Sequence, residues 1–220
     1  MDLKADGIAV ERSGRLVLTA PPLHVSPGET AVITGPNGAG KSTFLRALAG
    51  LLPCRRGTIT FGPYDSAADG AEYGELIAYA GHLDAIKPAL SVRSNLAHWA
   101  AILGGRDDRV DAALARFDLS RIADAPAAWC SAGQKRRLGL ARLMIVDRPL
   151  WILDEPTVSL DAGSVRVFAE EVARHCAGGG MAVAATHIDI GLPDGPRLSL
   201  TAPEAEEADA DDPFLQGQWA

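Results

Sequence analysis

Residues 35–42 read Gly35-Pro36-Asn37-Gly38-Ala39-Gly40-Lys41-Ser42, with Thr43 following, a G-x-x-x-x-G-K-[ST] pattern. Glycines in such a run permit backbone angles that turn successive N–H groups inward on phosphate oxygens. A helix opening just after them presents its positive end to the same anion. Lys41 adds a full charge able to reach the β and γ phosphates of a nucleotide, and Ser42 a hydroxyl for Mg²⁺. The context fits this chemistry: Glu29 to Thr34 is a short, β-branched run that predicts a buried strand, and Ser42 to Leu48 has helical character.

A second group of chemistry-bearing residues closes another apolar run, Leu150-Trp151-Ile152-Leu153-Asp154-Glu155-Pro156. Four apolar residues ending in two carboxylates read as a buried parallel strand, and ligands bind at the carboxyl ends of such strands. Neighbouring strand residues point to opposite sides, so the two acids are free to divide the work. Asp154 is placed to hold Mg²⁺ through its water shell, and Glu155 to polarise an attacking water.

These residues need elements to position them. Further strands are predicted at 57–61, 76–80 and 181–186, and helices at about 133–146 and 164–177. Between them, Ser91 caps a helix whose apolar residues Val92, Leu96, Trp99 and Leu103 share one face, and Gly104-Gly105 ends it. Asp107 or Asp108 starts the next helix, through Phe117. Strand, phosphate loop, helix, strands, a helical insert at about 83–146, then alternating strand and helix predict an α/β core with a mixed or parallel sheet. One domain is expected over 1–201. Residues 202–220, rich in Ala, Asp, Glu and Pro, read as a disordered tail.

Composition removes several function classes. The net charge of −7 comes from 21 basic and 28 acidic side chains, but Glu204, Glu206, Glu207, Asp209, Asp211 and Asp212 account for most of the excess. The remainder is nearly neutral, and nucleic acid is not expected as a partner. No stretch reaches the ~18–20 apolar residues of a membrane helix, and no apolar leader opens the chain. Cys54, Cys130 and Cys176 are too scattered for a disulfide framework or zinc site, which suits a reducing cytoplasm. His24, His98 and His175 have no paired spacing that would suggest a haem site.

Three more segments carry a family resemblance. Cys130-Ser131-Ala132-Gly133-Gln134, which opens a helix, resembles the signature motif of ATP-binding-cassette (ABC) ATPases, usually Leu-Ser-Gly-Gly-Gln. Ser159-Leu160-Asp161 resembles their D-loop, and Thr186-His187 their switch histidine. With the two motifs above, all landmarks fall in cassette order over about residues 3–200. The resemblance implies a P-loop NTPase fold of the ABC nucleotide-binding type, with ATP and Mg²⁺ as ligands. Ser131, Ala132, Gly133 and Gln134 are then a second anion cup serving the nucleotide held by a partner subunit. That implies a head-to-tail homodimer with ATP between the cassettes. His187 is expected at the γ-phosphate and Asp161 in the D-loop.

The departures from the family pattern are also informative. His82 stands where most cassettes have the glutamine that senses Mg²⁺ and couples to the transporter. The aromatic that usually stacks on adenine is absent. Arg12 occupies its place, either as a guanidinium plane stacked on the base or as a solvated turn residue. Gly81-His82 through Ile86-Lys87, the Ser-Ala-Gly-Gln signature and the Leu150–Pro156 segment together are similar to the ATP-binding subunit of the haem exporter of bacterial cytochrome c maturation. That implies integral membrane subunits as partners, a peripheral place on the cytoplasmic face of the inner membrane, and an indirect link to a periplasmic haem chaperone. The alternatives are the ATPase subunit of a different exporter, of drugs or lipids, or a soluble non-transport cassette ATPase.

Overall fold

The computed structural model describes residues 1–186, 188 and 190–201, so His187 and the acidic segment 202–220 lie outside the described residues. The first half of the chain holds β1 (Leu3–Arg12), β2 (Arg15–Thr19), β3 (Leu23–Val25), β4 (Thr30–Thr34), α1 (Lys41–Leu48), β5 (Arg56–Phe61), β6 (Tyr64–Asp65), α2 (Gly70–Glu75) and β7 (Ile77–Ala80). There follow α3 (Val92–Leu103), α4 (Val110–Arg116) and α5 (Ala132–Ala141). Then come β8 (Leu150–Asp154), α6 (Ala162–Ala177), β9 (Met181–Ala185) and β10 (Arg197–Ser199).

Two sheets result. The central one is parallel throughout, in the order β10-β4-β9-β8-β7. The other is antiparallel, in the order β2-β1-β5-β6, with β3 also paired to β1. Side-chain alternation along the parallel strands divides the core in two. Leu150, Ile152, Val183 and Ile33 pack on one face with Phe44 and Leu45 of α1 and with β1, β3 and β5 of the antiparallel sheet. Trp151, Leu153, Ala182 and Ala184 pack on the other with Phe168 and Val172 of α6 and with α3, α4 and α5. Every residue of β4 except Thr34, and all of β8 and β9, is buried. This is why those strands read as continuous apolar runs.

Several local expectations hold. Ser91 Oγ accepts from Ser94 N–H, and Gly104 ends α3 at φ 64°. The strand expected at 57–61 exists as β5, but it pairs antiparallel with β1, outside the parallel sheet. Residues 1–28 gave no sequence signal for β1–β3. The period-two pattern of β1 is broken at Gly7, φ 61°, where its register with β5 shifts between Asp6 and Ala9.

The helix expected over 133–146 ends instead at Ala141, and Arg142–Met144 forms a 3₁₀ turn. Arg142 points inward, donating to the carbonyls of Tyr79 and Asp84 and lying 5.1 Å over the Trp99 ring. Asp107 and Asp108 fall in a 3₁₀ turn and cap nothing; Asp108 pairs with Arg106, and α4 starts at Val110 without a side-chain cap.

Phe168 is fully buried between α6 and the sheet. Phe168→Ala is expected to cost about 3–5 kcal/mol through the cavity it leaves, read as a lower urea midpoint at unchanged m-value.

Candidate functional site

The phosphate loop joins the carboxyl end of β4 to α1. Three of its glycines sit at positive φ: Gly35 at 142°, Gly38 at 85° and Gly40 at 89°. At Gly35 a Cβ would also lie 2.4 Å from the Leu200 carbonyl oxygen, so only glycine fits there. Gly40 is the N-cap of α1 and supplies no side-chain acceptor, and no acid stands in the helix's first turn. The leading N–H groups are thereby left for an external anion. Lys41 is buried and donates from Nζ to the carbonyls of Gly35 (2.8 Å) and Pro36 (3.1 Å), arching across the loop.

The loop meets the acidic strand end directly. Ser42 Oγ donates to Asp154 Oδ1 at 3.0 Å, and Tyr79 Oη donates to Asp154 Oδ2 at 3.4 Å. Burial pushes the Tyr79 phenol up, which keeps it a neutral donor. Asp154 is 1% exposed. Its carboxylate and the Ser42 hydroxyl are adjacent hard oxygens, a donor set that fits Mg²⁺, which takes few protein ligands and fills its shell with phosphate and water. No group of three or more His, Cys, Asp or Glu gathers as a metal cage among the described residues. Glu155 lines one cleft with Arg12, Val17, Asn37, Gly38, Gly40, Lys41, Ser42 and Thr43. Arg12, exposed at the end of β1, is therefore at the phosphate-loop cleft, and Ala39 is buried beneath it.

Ser131, Ala132, Gly133 and Gln134 do not line that cleft. They open α5 as a capping box: Ser131 Oγ accepts from Gln134 N–H, and Gln134 Oε1 accepts from Ser131 N–H. A Cβ on Gly133 would stand 2.9 Å from the Ser159 carbonyl oxygen, so the signature and the D-loop segment touch within one chain. Asp161 caps α6, accepting from Ser164 N–H at 2.7 Å, and that bond holds its carboxyl below the usual range. His82 is exposed in the turn after β7. His187 lies outside the described residues, just past Thr186.

Sequence reasoning missed Arg136. It is 4% exposed and bonds the carbonyls of Gly81, Asp154, Glu155 and Pro156 and the Asp84 carboxylate. Within the run Lys135-Arg136-Arg137 it looks like part of a solvated basic patch. The available signal was helical spacing: Arg136 lies three and four residues before buried Gly139 and Leu140, on the inner stripe of α5.

Known proteins of similar sequence place the chain in a family. The ABC transporter family model matches residues 18–158. The cytochrome c biogenesis ATP-binding export protein CcmA of Ruegeria pomeroyi is 49% identical over 213 residues, covering 97% of this chain and 98% of that protein. Its counterpart in Cereibacter sphaeroides is 47% identical over 218 residues, with the same coverage. Among solved structures, the ATP-binding subunit of an ABC transporter is similar at TM-score 0.77 and 26% identity, over 85% of this chain and 80% of that one. An ATP-binding cassette in a dimeric, post-hydrolysis state with ADP and Pi shares the fold at TM-score 0.80 and 22% identity, over 93% and 96%. The chain belongs to the ABC transporter family and, within it, to the cytochrome c biogenesis ATP-binding export proteins.

Proposed function

We propose that this chain is the ATP-hydrolysing subunit of a membrane ABC complex that handles haem in bacterial cytochrome c maturation. The observation that carries this reading is near-full-length identity approaching one half with CcmA proteins. A shared cleft of phosphate loop and Glu155 supports the ATPase part.

In this reading ATP lies with its triphosphate along residues 35–43. Backbone N–H groups and the α1 N-terminus take the phosphate oxygens, and Lys41 moves from its carbonyl partners to the β and γ phosphates. Ser42 and Asp154 hold Mg²⁺, which when bound neutralises charge developing on the phosphate oxygens. Glu155 accepts the proton of the attacking water at its carboxylate. Arg12 offers its guanidinium plane to the base. His187 contacts the γ-phosphate, and His82 reports the state of the site to the membrane subunits. The partner cassette's signature end closes over the nucleotide, Ser131 and Gly133 facing the γ-phosphate with Ala132 and Gln134 shaping the cup. Two ATP molecules thus join a head-to-tail homodimer, and hydrolysis releases it.

No helix among the described residues is long and apolar enough to cross a membrane. In the reading taken from the CcmA relatives, work at the membrane passes through integral membrane subunits, with this chain peripheral on the cytoplasmic face of the inner membrane. The output is release of haem-loaded chaperone on the periplasmic side. Nucleic acid is no partner in this scheme.

Three outcomes are expected. Glu155→Gln lowers turnover by ~100-fold or more and leaves an ATP-bound dimer on size-exclusion chromatography; wild-type turnover would remove the base assignment. Lys41→Ala abolishes holocytochrome and haem loading of the periplasmic chaperone in cells while expression stays normal; normal holocytochrome in that strain would sink the pathway assignment. His82→Gln leaves ATP affinity intact and alters stimulation by the membrane subunits, measured as ATPase rate in the reconstituted complex; lost nucleotide affinity would count against a sensing role.

A further inference from the structure

Glu155 has φ 47°, in the left-handed region that a side chain with a Cβ avoids. This bend comes directly after β8 and places the Glu155 side chain at the phosphate-loop cleft. Its amide still bonds the Ala185 carbonyl at 3.0 Å, so the ladder with β9 continues up to the bend.

One side chain holds the bend from behind. Arg136 Nη2 donates to the carbonyls of Asp154 (3.1 Å) and Glu155 (2.7 Å), and Nε donates to that of Pro156 (2.9 Å). In an extended strand successive carbonyls point to opposite sides. A single planar guanidinium reaches all three here because the chain is bent. Its other nitrogen, Nη1, reaches the Gly81 carbonyl (2.9 Å) and Asp84 Oδ1 (2.8 Å), on either side of His82. The place for Asp84 is built: at Gly139 a Cβ would stand 2.5 Å from Asp84 Oδ1.

Arg136 is fixed to the other half of the machinery. It lies on α5, five residues after Ser131, which at ~1.5 Å per residue is about 7.5 Å along one helix. The capping box stiffens that helix end. Any force on the signature cup is therefore transmitted through a short rod to the carbonyls that shape the bend.

We infer that Arg136 is a positioning residue that couples the signature helix to Glu155, holding the catalytic carboxylate in its strained orientation and carrying it with α5 as the signature cup engages. This rests on the reading of Glu155 as the general base. Arg136 acts through the backbone of residues 154–156 and leaves the phosphate loop alone, so its loss falls on turnover and spares ATP affinity.

The test uses the full chain, with steady-state ATPase kinetics and equilibrium binding of a fluorescent ATP analogue. Arg136→Met is expected to lower kcat by ~10- to 100-fold through misplacement of the base, with KM and ATP affinity within about twofold of wild type. Arg136→Lys keeps the charge but spans fewer carbonyls and is expected between the two. In a Glu155→Gln background, adding Arg136→Met should lower the residual rate less than about twofold, since residues acting as a unit are not additive. Wild-type kcat in Arg136→Met, a loss of ATP affinity equal to the loss of kcat, or full additivity in the double variant would each overturn the inference. If Arg136→Met does not fold, Arg136→Lys decides: a severalfold lower kcat at unchanged affinity supports the coupling, and wild-type kcat overturns it. Wild-type turnover by Glu155→Gln alone would instead remove the base reading, an outcome separate from any Arg136 result.

Discussion

A carboxylate at the end of a strand buried on both faces is the constraint that the rest of the molecule serves. Asp154 is 1% exposed, and a buried charge is costly unless it is bonded. Ser42 and Tyr79 supply those bonds, one from the start of α1 and one from β7. The requirement thus ties the phosphate loop, the neighbouring strand and β8 together. Covering both faces of β8 calls for two layers, and the chain provides α1 with the antiparallel sheet on one side and α6 with α3–α5 on the other.

Two helix N-termini bear on anions in different ways. α1 opens at Gly40 with no side-chain cap, so its free N–H groups belong to the phosphate loop. α5 opens with its own capping box and has no acid in its first turn. The signature segment does not line the phosphate-loop cleft of its own chain, the observation that the proposed head-to-tail pair answers. Far from both, at the opposite end of the parallel strands, His175 stacks on Trp151 at 4.0 Å and bonds the carbonyls of Pro149 and Met181. Burial pushes its imidazole down, which suits a neutral ring that ties together the starts of β8 and β9.

Legibility followed the range of the interactions. The phosphate loop, α3 with its Ser91 cap and Gly104 stop, and the acidic end of β8 are written in contiguous residues and could be read directly. Of the antiparallel sheet, β5 could be read as a strand, whereas β1 was hidden because Gly7 and the register shift after Asp6 break the alternation that marks a strand. The helix expected through 146 ends at Ala141, where the chain tightens into a 3₁₀ turn and Arg142 turns inward to bond the carbonyls of Tyr79 and Asp84, contacts distant in sequence.

By itself the sequence determined which chemistry-bearing groups stand in the two motifs: glycines where φ must be positive, a lysine and hydroxyl at the helix start, and two acids after an apolar strand. Each of these depends on neighbours a few residues away. Only the tertiary structure decided how Glu155 is held. The left-handed φ of Glu155 and the grip of Arg136 on residues 81, 84 and 154–156 join segments far apart in the numbering. A guanidinium in a basic run carries no local mark of which carbonyls it will meet; the packing of α5 against the end of β8 sets that.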